Sequence, residues 1–182
     1  MTKFLPANKF QRFLIVAGLV YFSWYLLYQF VIHPGKKADL FIINNTISAS
    51  NHILKILNYQ TFTGEERVIG IDGTPGLWIG DKCNGVELFA LFCVFIIAYP
   101  GKWNRKIIYL VAGVLSVHAI NILRVVGLAI VQHNFQDWTE FNHTYVFNTL
   151  VYGYIFLLWM IWANRLSEEK MTENKSQTID NK

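Results

Sequence analysis

Only two cysteines occur in this 182-residue chain, Cys83 and Cys93. On a helix through the apolar run after Cys83 they would lie about 15 Å apart along the axis, beyond the reach of a disulfide. A disulfide framework is excluded, and each thiol is judged by its own surroundings. Also lacking are a metal-ligand spacing, a phosphate-cradling glycine loop and the G-x-S-x-G of a serine hydrolase, so no metal and no cofactor is expected. Basic residues sit mostly on the flanks of apolar runs, where they set membrane orientation. The formal net charge of +4 is therefore no nucleic-acid signature. A cleaved leader is not expected either, because the first apolar run is about 20 residues long and no small-residue cleavage site follows it.

What the chain has in abundance is apolar sequence gathered into long runs. Hydrophobic residues make up 53% and aromatic residues 16%, and runs of about 20 residues match a hydrocarbon core of about 30 Å. The sequence predicts an all-α integral membrane protein, a bundle of about four transmembrane helices with an extracytoplasmic interfacial helix and a small β-hairpin. A single domain would occupy 1–163, with spans at about 13–32, 84–99, 107–131 and 144–163 and an external segment at 33–82. A polar tail, 164–182, would follow in the cytoplasm. The first span carries only Ser23 and Gln29 as polar residues and stops at His33-Pro34-Gly35. Ala38 to Leu57 mixes apolar residues with Asn, Ser, His and Lys, which suits an amphipathic helix lying in the interface; crossing the membrane is the other reading. Val68 to Ile71, Asp72 to Gly76 and Leu77 to Ile79 read as strand, turn and strand.

Charge orients the bundle. Lys102, Arg105 and Lys106 crowd one short loop, whereas the connector 132–143 holds Asp137 and Glu140 and no Lys or Arg. Cytoplasmic loops carry the excess of positive charge, so both termini are expected inside and the 132–143 connector outside.

That topology gathers three reactive residue types in the outer part of the bundle. Cys83 stands at the outer start of the second span, where free N–H groups and the helix dipole lower a thiol's pKa. Gly85 permits close backbone approach, and the first N–H groups of the helix suit an oxyanion. Arg124 lies seven residues before Val131, about 10 Å below the outer end of the third span. A charge inside a span costs at least about 2.5 kcal/mol and marks a functional or paired residue. His118, Asn121 and Arg124 share one helix face. Arg124 would hold an anionic intermediate or pair with Glu87, one turn below Cys83. Two outer histidines, His143 and His133, compete for the role of base, and spacing does not choose between them. Cys93, among Phe, Leu and Val, reads as core packing. His118 reads as a packing residue.

The ordered set Cys83-Asn84-Gly85, then Asn121-Ile122-Leu123-Arg124 in the next outward span, then His143 opening the following one, resembles the exosortase/archaeosortase family over roughly Val68 to Gly153. The chain is similar to the short exosortases of Bacteroidetes-type bacteria. The resemblance implies an integral-membrane cysteine transpeptidase of the bacterial inner membrane, its site facing the exterior. Its substrates would be exported proteins with a C-terminal motif, a transmembrane helix and a basic tail, with a lipid or glycan among the acceptors it allows. By that resemblance Cys83 is the nucleophile, Arg124 stabilises the intermediate and His143 is the acid/base. Asn84, Gly85, Glu87 and Asn121 would support them. The family more often has Ser or Thr at the position of Asn84, and basic residues where this chain has Val86-Glu87. The contrasting class is a non-catalytic membrane scaffold or small transport component with Arg124 in a structural ion pair.

Overall fold

The computed structural model describes residues 8–64 and 67–166. Most of the expected tail, 167–182, lies outside the described residues. Helix α1 (Lys9–Leu27) starts at Asn8, whose side chain accepts from the Phe10 N–H at 3.2 Å, a standard way to satisfy an orphan donor. It runs on through a π turn (Tyr28–Ile32) and a tight turn (His33–Gly35). Lys36, in the left-handed region at φ 50°, then reverses the chain into α2 (Lys37–Ile56).

Helix α2 buries Asp39, Ile43, Thr46, Ser50 and Leu54, spaced three or four residues apart as one helix stripe requires. The stripe packs on protein, against α4 and the sheet. The Ser50 hydroxyl donates to the Ile122 carbonyl at 3.4 Å, and His118 Nε2 lies 2.8 Å from Asn45 Oδ1.

The expected hairpin is part of a larger unit. Strands β1 (Thr61–Gly64), β2 (Val68–Ile71) and β3 (Leu77–Trp78) form an antiparallel sheet in the order β1-β2-β3. Thr61 pairs with Ile71, and Ile69 with Leu77. Strand β1 escapes the sequence reading because its four residues, TFTG, offer a single large apolar side chain.

Helix α3 (Val86–Ala98) has 13 residues, α4 (Trp103–Asn134) has 32. After α4 a tight turn (Gln136–Trp138), one helical turn α5 (Thr139–Phe141) and a π turn (Asn142–Val146) lead into α6 (Phe147–Ile161). Three helical runs are long and apolar enough to cross a membrane: Phe10–Gly35, Trp103–Asn134 and Gln136–Leu166. The second expected span, 84–99, corresponds to α3, which is apolar but rises only about 20 Å, some two thirds of a hydrocarbon core. Its far end is closed by Lys106, whose Nζ donates to the Ile97 carbonyl at 2.7 Å, a basic cap on terminal carbonyls. Helices α1 and α3 are antiparallel neighbours, with the Phe13 ring edge-on to Phe95 and Tyr99.

Two separate cores result. The lower joins α3, the first half of α4, α6 and the π turn that follows it (Trp162–Leu166) through Leu88, Phe92, Ile96, Val117, Val151, Ile155 and Trp162. The upper joins α2, the sheet and the last third of α4 through Ile43, Leu54, Ile69, Ile71, Ile79, Val125, Val126 and Ala129. A 32-residue helix rises about 48 Å, more than a bilayer core needs, and the surplus carries the upper core. On α4, Asn121 and Arg124 fall between Val117 of the lower core and Val125 of the upper one. These two buried polar side chains of α4 thus mark the seam between the cores.

Candidate active site

The strand-to-helix connection shapes the thiol turn. Asp81–Cys83 forms a single tight turn, closed by Cys83 N–H donating to the Gly80 carbonyl at 2.9 Å. The Arg67 guanidinium pairs with Asp81 and ties this turn to the start of β2. Gly85 then adopts φ 88°, a conformation glycine takes without steric cost. A side chain there would also meet Asn121, since a Cβ would lie 3.2 Å from its Nδ2. From the other side, Asn121 Nδ2 donates to the Cys83 carbonyl at 3.3 Å. The thiol turn is therefore seated directly on the polar face of α4.

Cys83, Arg124 and His143 meet at this seam. Cys83 Sγ lies 3.6 Å from His143 Nε2, and Arg124 Nη2 lies 3.2 Å from the same nitrogen. His143 is carried on the π turn that precedes α6, a local widening of the helix that often occurs at functional sites. Cys83 and His143 are half-buried, and Arg124 is 8% exposed. A guanidinium N–H only donates, so Nε2 accepts and the proton of a neutral His143 sits on Nδ1. The Arg124 Nε is buried with no hydrogen-bond partner, a donor available to something placed beside it.

A cavity of about 170 Å³ opens beside the three residues, walled by Gly85, Glu87, Leu88, Asn148, Val151 and Tyr152. Glu87 is exposed in that wall. Among the described residues the carboxylate ion pairs are Arg67 with Asp81 and His33 with Asp39; Glu87 and Arg124 form none. Asn84 is 1% exposed. Its Oδ1 accepts from the Val86 N–H at 2.8 Å, so the first N–H of α3 is satisfied within the turn and is not an open oxyanion donor.

The other candidates are elsewhere. His133 is exposed and sits edge-on to Tyr59, outside the cavity wall. His118 bridges to Asn45 and touches Phe89 edge-on. Cys93 packs against the lower core. Sequence reasoning missed Asp39, which is 1% exposed and accepts from Asn84 Nδ2 at 2.7 Å and from the Tyr28 hydroxyl at 2.9 Å. The signal was available: Asp39 is the only acidic residue among the first 64. Also missed were Asn148 and Tyr152, one turn apart on α6, which line the cavity.

A family model of transmembrane exosortases matches residues 6–165. The chain belongs to the transmembrane exosortase family. The match covers every element from α1 through α6, so both cores and the seam between them belong to the exosortase unit. The expected family is borne out, and with it a multi-pass membrane protein. No curated protein and no solved structure matches the chain.

Proposed function

We propose that this exosortase is a cysteine peptidase or transpeptidase that cleaves the C-terminal sorting region of exported proteins through a thioester on Cys83. One observation carries the reading: a single imidazole nitrogen faces both the Cys83 sulfur and the Arg124 guanidinium, beside an open cavity. A thiol needs a base to become the nucleophile, and an oxyanion needs a buried donor. Both requirements converge on His143 Nε2.

The reaction follows from that shared nitrogen. The Cys83 S–H proton passes to Nε2, and the thiolate attacks the scissile carbonyl carbon, forming a C–S bond. An Nε2 that carries a proton no longer accepts from Arg124, so the guanidinium turns its N–H groups to the new oxyanion. Collapse of the tetrahedral species breaks the C–N bond, and the Nε2 proton leaves with the amine. Water or an acceptor nucleophile then attacks the thioester, giving up its proton to Nε2, and the thiolate departs and is reprotonated. The substrate's transmembrane helix would lie in the bilayer against the bundle, with its motif at the seam. The basic 102–106 loop supports a cytoplasmic lower end and an exterior-facing site in an inner membrane.

The reading is tested by expressing the chain with exported proteins that carry a C-terminal motif, span and basic tail. Loss of C-terminal trimming in Cys83→Ala, Arg124→Ala and His143→Ala at unchanged protein level supports it. A product heavier than the trimmed chain identifies transfer to an acceptor, and trimming that survives Cys83→Ala refutes the mechanism.

A further inference from the structure

We propose that Asp39 is a positioning residue for the Cys83 nucleophile, acting through Asn84; this rests on the cysteine-peptidase reading above. Asp39 lies in the first turn of α2 and is 1% exposed. A buried carboxylate is costly unless hydrogen-bonded, and this one has three partners. Its Oδ1 accepts from the Tyr28 hydroxyl at 2.9 Å and from Asn84 Nδ2 at 2.7 Å, and its Oδ2 lies 3.3 Å from His33 Nδ1. Tyr28 and His33 come from the π turn and the tight turn that follow α1, and Asn84 directly follows the nucleophile.

The Asn84 link separates this arrangement from a simple clamp between α1 and α2. An ionised carboxylate only accepts, so Asn84 must present its NH₂ to Asp39. Its Oδ1 is thereby turned to the Val86 N–H, which it meets at 2.8 Å. The amide plane is fixed at both ends. Together with the Asn121 bond to the Cys83 carbonyl and the left-handed Gly85, this locks the residue after the thiol. The Sγ is then held 3.6 Å from His143 Nε2. Reactions of oriented groups are steeply sensitive to such placement, with an error of 1 Å worth about 100-fold. The contribution of Asp39 is geometric, because it reaches the thiol turn through the Asn84 amide. Asp39 is absent from the cavity wall and touches no reacting atom.

The test exchanges the two partners in the full-length protein. Asn84→Asp alone sets two carboxylates against each other, whereas Asn84→Asp combined with Asp39→Asn restores an amide–carboxylate pair with its polarity reversed. Two readouts are taken: maleimide alkylation of Cys83 in detergent, which needs no substrate, and kcat against KM for sorting-signal cleavage. Asn84→Asp is expected to slow both alkylation and kcat at least 10-fold with KM little changed, and the exchanged pair to recover to within about 3-fold of wild type. Asp39→Ala should match Asn84→Asp, and Asp39→Asn alone, which keeps an acceptor for Asn84, should stay near wild type. The proposal is overturned if the exchanged pair, at wild-type abundance and thermal midpoint, is as slow as Asn84→Asp, or if Asn84→Asp or Asp39→Ala alkylates and cleaves like wild type. Cleavage that survives Cys83→Ala would instead remove the peptidase reading, and the alkylation arm would still decide whether Asp39 sets the thiol geometry.

Discussion

Arg124 Nη2 lies 3.2 Å from His143 Nε2, the nitrogen that also faces the Cys83 sulfur. A cation hydrogen-bonded to the base is an unusual resting arrangement, because protonating that base breaks the contact. The two events are coupled: proton uptake by His143 and release of the guanidinium occur together. Replacing Arg124 should therefore damage the step that needs an oxyanion donor and spare the thiol itself. Arg124→Ala is expected to lower kcat about 100-fold or more, while maleimide alkylation of Cys83 persists at the wild-type rate or faster. Parallel loss of both would place Arg124 in a purely structural role.

The two outer histidines separate cleanly. His143→Ala removes the proton acceptor and is expected to lower cleavage by about 100- to 10,000-fold. His133, exposed against Tyr59, should be replaceable by Ala with activity within about 2-fold of wild type, as for surface changes generally. Steady-state rates of the two variants, measured side by side at matched protein level, check this pair.

Much of this site is legible in the amino-acid sequence, for identifiable reasons. Lys and Arg in the 102–106 loop and their absence from 132–143 put Cys83, Arg124 and His143 on the same side of the bundle. A common face for Asn121 and Arg124 follows from helix periodicity alone, and both are buried at the seam. The choice between His143 and His133 is not legible from spacing, because both flank the 132–143 connector and only the tertiary packing brings His143 to Cys83 and Arg124. Asp39 stands out by its charge, but its partners do not, because Tyr28 and Asn84 are 11 and 45 residues away. The packing of helix α2 is hidden for a related reason: its buried stripe contains Asp39, Thr46 and Ser50, so the face that meets α4 shows no apolar periodicity. The one-turn spacing from Cys83 suggests Glu87 as a partner for Arg124, yet its side chain faces the open cavity.

Glu87→Gln therefore discriminates between catalyst and scaffold. With no ion pair to Arg124, the substitution should leave abundance and thermal midpoint unchanged, whereas breaking a buried pair would cost about 3–5 kcal/mol. Thermal unfolding in detergent measures it.

Gly85 offers a backbone prediction. Gly85→Ala places a side chain at φ 88°, 3.2 Å from the Asn121 amide. Forcing an L-residue into that region costs about 1–2 kcal/mol, and relief requires the thiol turn to lift off α4. Lowered thermal midpoint together with lowered cleavage is expected, with the loss in cleavage larger than destabilisation alone explains.

The proposed mechanism requires that Cys83 become acylated. Purified protein is mixed with a sorting-signal substrate, quenched in acid within the first turnover, digested and weighed by mass spectrometry. The peptide containing Cys83 is expected to carry the substrate's acyl portion as a hydroxylamine-labile adduct, and the Cys93 peptide to stay unmodified. Cleaved substrate with an unmodified Cys83 peptide, or an adduct on another residue, would contradict it.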